Sequence, residues 1–271
     1  MNISTDVQAR IAAENFRNEH GLGVGPLGDL ISVIKQTTGH DVAVLEADGD
    51  EHGLAMTDPL RGRVFIGVAK TMHPMRQRST LAHELAHLVF QDHSDSLWER
   101  NSAESRADSF ARHLLIPQEG LKQFLGEIGT LGESHLSQVV QHFLVSPAIA
   151  AIALQEAGFI SNEAKTEWMK ISTPALATKF GWRDYYAVLQ LESNKVRAPQ
   201  GLVARAIRGY EEGVLNAQAI ATLQGRTEPE VLSEFQQAGI FPRSLDIETI
   251  EFDELPNVNF DLDGFDDVET E

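Results

Sequence analysis

The stretch that decides the fold is RSTLAHELAH at residues 78–87, which contains His83-Glu84-Leu85-Ala86-His87. Pro74 and the apolar stripe that follows it predict a helix over residues 74–92. On such a helix His83 and His87 lie one turn apart on one face, so their ring nitrogens can converge on one zinc ion. Glu84 lies beside that position and can accept a proton from water that zinc makes more acidic. The motif therefore predicts a site for hydrolysis; the alternative is a surface helix with two solvated histidines.

A second helix is predicted to supply the remaining ligand. The helical pattern of residues 101–116 is closed by Pro117, and it carries Glu104 and Asp108 four residues apart on one stripe. Glu104 is the candidate third zinc ligand, which leaves the fourth position for water. Asp108 can accept the free N–H of a ligand histidine and so fix its tautomer. Without the histidine pair, both would be ordinary exposed helix carboxylates.

These two stretches resemble the ImmA/IrrE metallo-endopeptidases, gluzincin-like zinc proteases of bacteria, phages and mobile elements. Residues 78–87 are similar to the family's x-F-T-L-A-H-E-L-x-H, and residues 104–117 to its E-x-x-A-[ND]-x-F-A-x-x-L-L-M-P. The resemblance covers about residues 5–160 and implies zinc ligation by His83, His87 and Glu104, with Glu84 as general base. Ser79 departs from the family's usual aromatic residue at a position that we interpret as packing.

The resemblance also implies a function. Members of this family are site-specific regulatory proteases that cleave a transcriptional repressor or an antitoxin, which for this chain would be a separate polypeptide. The alternative is a non-catalytic interaction protein that keeps the zinc fold to bind a partner regulator. Glu84 argues against that alternative, because a scaffold needs no general base.

The sequence predicts an α+β fold in three parts. A zincin-like metallopeptidase domain is expected over residues 1–120, with a small sheet and the HExxH helix. A helical region follows over residues 121–243, and an acidic tail, expected to be disordered, over residues 244–271. The predicted strands cover residues 41–46, 53–56 and 63–68. The last contains Val64, Phe65, Ile66, Gly67 and Val68, and we expect it to be the edge strand to which an extended peptide substrate adds.

Two segments of the helical region have a helix-turn-helix-like pattern, residues 139–160 and, more weakly, residues 212–230. The second helix of the first segment, residues 147–156, contains no Lys or Arg. It therefore has no basic side chain to contact phosphates or base edges, and direct nucleic-acid binding is disfavoured. We interpret this helix as core packing.

Composition narrows the possible functions further. The 271 residues include 22 Lys plus Arg, 40 Asp plus Glu and no Cys, with a net charge of −18. The absence of thiols excludes disulfide frameworks, zinc ribbons and a cysteine nucleophile. Neither a leader peptide nor a stretch long enough for a membrane span is visible, so we expect a cytoplasmic protein with no membrane partner.

Much of the negative charge is concentrated in the tail. Residues 244–271 contain 11 acidic residues and no Lys or Arg, which leaves 29 acids against 22 bases, or −7, for residues 1–243. The acids alternate with Phe, Leu and Val without a regular period. Besides a solubilising role, the tail could dock on a basic groove of this chain or of a partner; the candidate cluster in this chain is Lys195, Arg197, Arg205 and Arg208.

Overall fold

The computed structural model describes residues 4–47, 53–58, 63–92, 97–127 and 129–243. The acidic tail therefore lies outside the described residues. The chain begins with two helices, a three-stranded sheet and the two helices that carry the predicted site: α1 (Thr5–Glu19), α2 (Leu30–Thr38), β1 (Asp41–Leu45), β2 (Gly53–Asp58), β3 (Arg63–Ala69), α3 (Pro74–Phe90) and α4 (Leu97–Leu115). Helices follow from there on: α5 (Gln118–Leu125), α6 (Glu133–Phe143), α7 (Pro147–Glu156), α8 (Asn162–Trp168), α9 (Thr173–Lys179), α10 (Arg183–Ser193), α11 (Gln200–Glu211), α12 (Ala217–Gln224) and α13 (Glu228–Ala238). The predicted α+β class is confirmed.

Side-chain caps set where several helices begin. The hydroxyl of Ser4 accepts a hydrogen bond from the backbone N–H of Val7, and Ser146 does the same for Ile149 at the start of α7. Asp29 accepts from the N–H of Ile31, so α2 begins at residue 30. Pro147 occupies the first turn of α7, where its missing N–H costs nothing.

The order of the strands is β1-β3-β2, which corrects one prediction. β3 pairs in parallel with β1 and antiparallel with β2, so Val64, Phe65, Ile66, Gly67 and Val68 lie on the central strand and not on an edge. The physical reason is visible in the sequence, because a nearly continuous apolar run is typical of a strand that is buried on both faces. Ile66 and Val68, on one face of β3, are buried, and Phe65 and Gly67, on the other face, are partly buried. β2 is the edge strand of the sheet that lies next to helix α3.

Three arginines connect the elements around the site. The side chain of Arg17 is buried and donates to the carbonyl oxygens of Leu114 (2.8 Å) and Gly23 (2.7 Å), which ties α1 to the end of α4. Arg78 of α3 donates to the carbonyls of Leu27 and Gly28, both at 2.6 Å. Arg112 of α4 pairs with carboxylates from both α1 and α7, as described below. These charged bonds fix α3 and α4 relative to the surrounding helices.

The hydrophobic core is continuous across the predicted domain boundary at residue 120. Buried side chains from Ala9 to Tyr186 form one cluster, which includes residues of α5, α6, α7 and α9. A second, smaller cluster is formed by α11, α12 and α13 around Tyr210, Ile220 and Phe235. The division between cores therefore falls between α10 and α11. No single helix of the described part has the length and apolar character needed to cross a membrane.

Candidate metal centre

Three of the predicted ligands meet at one point. His83 and His87 of α3 and Glu104 of α4 each offer one ligand atom, and these atoms lie within 4.8 Å of one another. The Nε2 atoms of the two histidines are 3.1 Å apart, and Oε2 of Glu104 is 3.0 Å from Nε2 of His83. Ligand atoms bound tetrahedrally at zinc distances of 2.0–2.2 Å are separated by about 3.3–3.6 Å. The donor set and its spacing therefore fit a metal ion held by two histidines and one carboxylate.

Each ligand histidine has a carboxylate on its other ring nitrogen. Oδ1 of Asp108 lies 2.8 Å from Nδ1 of His83, which is the contact that we predicted for Asp108. Oδ2 of Asp92 lies 3.2 Å from Nδ1 of His87, a partner that sequence reasoning missed. Both contacts direct the Nε2 atoms toward the metal position, because an N–H on Nδ1 leaves Nε2 as the unprotonated donor.

Asp92 is itself held in place by the end of α3. Gln91 adopts the left-handed conformation, with φ 54°, and reverses the chain after Phe90. As a result the backbone N–H of Asp92 donates to the carbonyl of His87 at 3.1 Å, as in a Schellman cap. Arg106 of α4 donates to Oδ1 of Asp92, and its guanidinium lies 4.3 Å from the centre of the Phe90 ring. Asp92 thus contacts His87 through both its backbone and its side chain.

The charges around the site favour a cation. Burial lowers the pKa of His83, but the hydrogen bond that its Nδ1–H donates to Asp108 and the negative charges of Asp108, Glu104 and Glu84 outweigh burial, so the pKa lies above its ordinary value. Such a concentration of carboxylates around two imidazoles attracts a divalent cation as it attracts a proton. Zinc and protons would compete for the ring nitrogen of His83.

Glu84 does not belong to the group of metal ligands and lies next to the first residue of β2. A Cβ atom on Gly53 would approach Oε1 of Glu84 and Cγ2 of Thr80 to 2.6 Å each. Glycine at this position therefore lets the edge strand pass directly against the helix that carries Glu84. The close approach places backbone of β2 beside the candidate general base.

A cavity of about 520 Å³ opens beside His83 and Glu84. It extends along α3 toward its N-terminal end, past Thr80 and Ser79, and it is bounded by residues of α4 and α7. Two of the α7 residues are Ile149 and Ile152. We predicted α7 to serve only as core packing, and nothing in its local pattern marks these two isoleucines as part of the site.

A small sheet beside an HExxH helix, with a carboxylate from the following helix, is the arrangement of zincin-like metallopeptidases. Comparison with known families agrees with this class: residues 37–155 match the model of Peptidase_M78, the IrrE N-terminal-like domain. This part of the chain therefore belongs to the ImmA/IrrE family of metallopeptidases. The match includes α3, α4 and nearly all of α7. No curated protein matches the chain.

Proposed function

We propose that this protein is a zinc-dependent, site-specific endopeptidase that cleaves a transcriptional repressor or antitoxin on a separate chain. The observation that supports a peptidase best is the convergence of His83, His87 and Glu104 while Glu84 remains outside the ligand group. A three-residue ligand set keeps one coordination position open, as catalytic zinc sites do. The regulatory substrate rests on the family resemblance.

In the proposed reaction, zinc when bound would polarise the scissile carbonyl, acidify the attacking water and stabilise the developing negative charge. The carboxylate of Glu84 accepts the proton of that water and then delivers it to the leaving amine. His83, His87 and Glu104 hold the metal, and Asp108 and Asp92 hold the two imidazoles in the ligating tautomer. Each residue has a separate role, so each role can be tested separately.

We propose that the substrate binds along β2, in place of the predicted pairing with β3. One side of β2 pairs with β3, and within the described residues no strand pairs with its other side. An extended peptide can add there by backbone hydrogen bonds. Gly53 brings that edge next to Glu84, so a peptide on β2 would pass the general base.

The non-catalytic alternative makes a different prediction for Glu84. The side chain of Glu84 lines the cavity beside His83 and belongs neither to the metal ligands nor to the buried core. A scaffold that only binds a partner would tolerate the loss of this carboxylate, whereas a protease would not.

The test compares Glu84→Gln with Glu104→Ala. Glu84→Gln keeps the side-chain shape but removes the base, so we expect about one zinc ion per chain and a fall in cleavage of at least about 10²- to 10⁴-fold. Glu104→Ala is expected to lose both zinc and cleavage. Zinc is measured by elemental analysis, and cleavage of a candidate repressor by mass spectrometry. Glu212→Gln, at an exposed glutamate that follows the last residue of α11, is the matched control and should behave like the parent.

Equal cleavage of that partner by the parent and by Glu84→Gln would refute the peptidase mechanism. Full partner binding together with full biological activity in Glu84→Gln would instead favour the scaffold. If Glu104→Ala kept its zinc, the third ligand would have to be reassigned.

A further inference from the structure

We propose that Ile149 and Ile152 of α7 form the apolar wall of a substrate subsite that takes a large aliphatic or aromatic side chain next to the scissile bond. This inference rests on the proposed peptidase function and adds the class of residue that the site selects. It assigns a specificity role to a helix whose sequence resembles the second helix of a helix-turn-helix unit.

The position of these isoleucines carries the argument. They are spaced three residues apart, so they lie on the same face of α7, and both line the cavity that contains His83 and Glu84. The opposite face of α7 supplies the buried Ala150, Ala151 and Leu154 to the core. Ile149 and Ile152 are only partly buried, so the cavity leaves part of their apolar surface in contact with solvent. Covering that surface with an apolar substrate side chain is favourable.

The other walls leave room for a large group. Ser79 and Thr80 contribute small side chains from α3, and Ala111 contributes only a methyl group from α4. The hydroxyl of Ser79 donates to the carbonyl of Arg76 on its own helix at 2.8 Å, so it is bonded to the helix backbone. A volume of about 520 Å³ lies within the range of sites that hold small organic ligands.

Electrostatics disfavour an acidic side chain in this subsite. Arg112 lines the cavity, but its guanidinium already pairs with Asp6 at 2.6 Å and with Glu156 at 2.9 Å. A substrate carboxylate would therefore gain little from Arg112, and it would meet Glu84 and Asp108 in the same cavity. An uncharged, apolar side chain avoids this cost.

The subsite is also rigid. Asp6 belongs to α1, Arg112 to α4 and Glu156 to α7, so one guanidinium bridges three helices. The bridge and the buried alanine face hold α7 against α4, which keeps the two isoleucines at a fixed distance from the catalytic residues. A preformed apolar wall selects side chains better than a mobile one, because little ordering is needed on binding.

The first experiment measures side-chain preference by cleavage. The zinc-loaded full chain digests a peptide library, and mass spectrometry locates the cleaved bonds. We expect Leu, Met or Phe to be enriched at one position beside the cut, with kcat/KM about 10- to 100-fold higher for Leu than for Ala. In Ser79→Phe and in Ile152→Ser, that Leu-to-Ala ratio should fall at least about fivefold, because the pocket is narrowed or its wall made polar. Val188→Ser, on an exposed residue of α10, is the control and should keep the parent ratio.

The second experiment does not require cleavage. Methyl groups of isoleucine are labelled with ¹³C, and N-acetyl-leucine methylamide is titrated into the metal-loaded protein, with the glutamate and glycine analogues for comparison. We expect the leucine compound to shift the signals of Ile149 and Ile152, and the shifts to be lost in Ser79→Phe.

The outcomes separate the two proposals. Shifts at Ile149 and Ile152 without cleavage of any peptide would keep the subsite and refute the peptidase. Cleavage without an apolar preference, or with a Leu-to-Ala ratio that Ser79→Phe leaves unchanged, would refute the subsite and keep the peptidase. If no peptide is cut and the leucine compound shifts neither isoleucine signal, both proposals are wrong.

Discussion

Replacing Asp92 by alanine should weaken zinc binding more than the same change at Asp108. Both carboxylates accept from Nδ1 of a ligand histidine, and loss of such a partner typically costs 10- to 100-fold in metal affinity. The distance to Nδ1 alone would predict the larger loss of affinity for Asp108→Ala, because it is 2.8 Å for Asp108 and 3.2 Å for Asp92. Exposure predicts the larger loss for Asp92→Ala, because the side chain of Asp92 is 11% exposed and that of Asp108 is 76% exposed.

We give exposure the greater weight for two reasons. Water and salt compete strongly with an exposed hydrogen bond between charged groups and only weakly with a buried one. Removal of Asp92 also leaves the guanidinium of Arg106 near His87 without its carboxylate partner, and an uncompensated cation opposes metal binding. We therefore expect about 100-fold weaker binding, or about 2.7 kcal/mol, for Asp92→Ala and about 10-fold, or 1.4 kcal/mol, for Asp108→Ala.

The assay is competition for zinc between the apo protein and a chromophoric chelator at pH 7.5. Arg106→Gln should give an intermediate loss, because it keeps the carboxylate of Asp92 but releases one of its two anchors. Circular dichroism and the thermal midpoint show whether each variant is folded. An affinity of Asp92→Ala within threefold of the parent, or a larger loss in Asp108→Ala than in Asp92→Ala, would show that the argument from burial is wrong.

Two further predictions concern pH and the tail. Burial, together with the charge of Arg112, lowers the pKa of the imidazole of His113 to about 4. The unfolded chain binds this proton near pH 6.5 and the folded chain only near pH 4, so stability should fall by about 2–3 kcal/mol as the pH drops between these values. Urea unfolding at pH 7.0 and 4.5 should show a smaller difference in His113→Gln than in the parent, and an equal difference would contradict the assignment. Deletion of residues 244–271 should change partner affinity or cleavage rate at low salt and less at high salt, because salt screens exposed charges; unchanged activity at low salt would leave the tail a solubilising role.

The four residues of the candidate basic cluster for the tail differ in the ion pairs that they form. Lys195 and Arg197 already pair with Glu192, at 2.5 Å and 3.0 Å. Arg208, in contrast, is exposed and forms no ion pair with any residue of the described ranges. Arg205 lies near enough to Asp41 for its charge to lower the pKa of that carboxyl. Docking of the acidic tail on this chain stays a proposal, and Arg208 is the part of the cluster that it would use first.

The parts of the site that sequence could predict are those set by helical periodicity. A spacing of four residues places His83 above His87 in any α-helix, and the same rule places Glu104 and Asp108 on one stripe of the next helix. The relative position of α3 and α4 then follows from their apolar faces. Strand order is different, because pairing partners are not a local property; the apolar run of β3 indicated a central strand, but we predicted an edge from its position before α3. Ile149 and Ile152 depend on how α7 packs against α4, which no local pattern specifies.

Asp92 shows how the end of a helix can complete a metal site. A Schellman cap joins residues five apart, so the residue after the left-handed position always returns to the last turn of its helix. In α3 that last turn contains His87, and the returning residue is an aspartate. Left-handed caps usually carry glycine, and Gln91 in this position removes the signal by which the cap could have been predicted. The backbone bond from Asp92 to the carbonyl of His87 thus fixes the carboxylate that orients the ring of the same histidine. The end of the helix and the orientation of the His87 ring therefore depend on the same contacts. Substitutions at Gln91 that disturb the cap should therefore also weaken metal binding by His87.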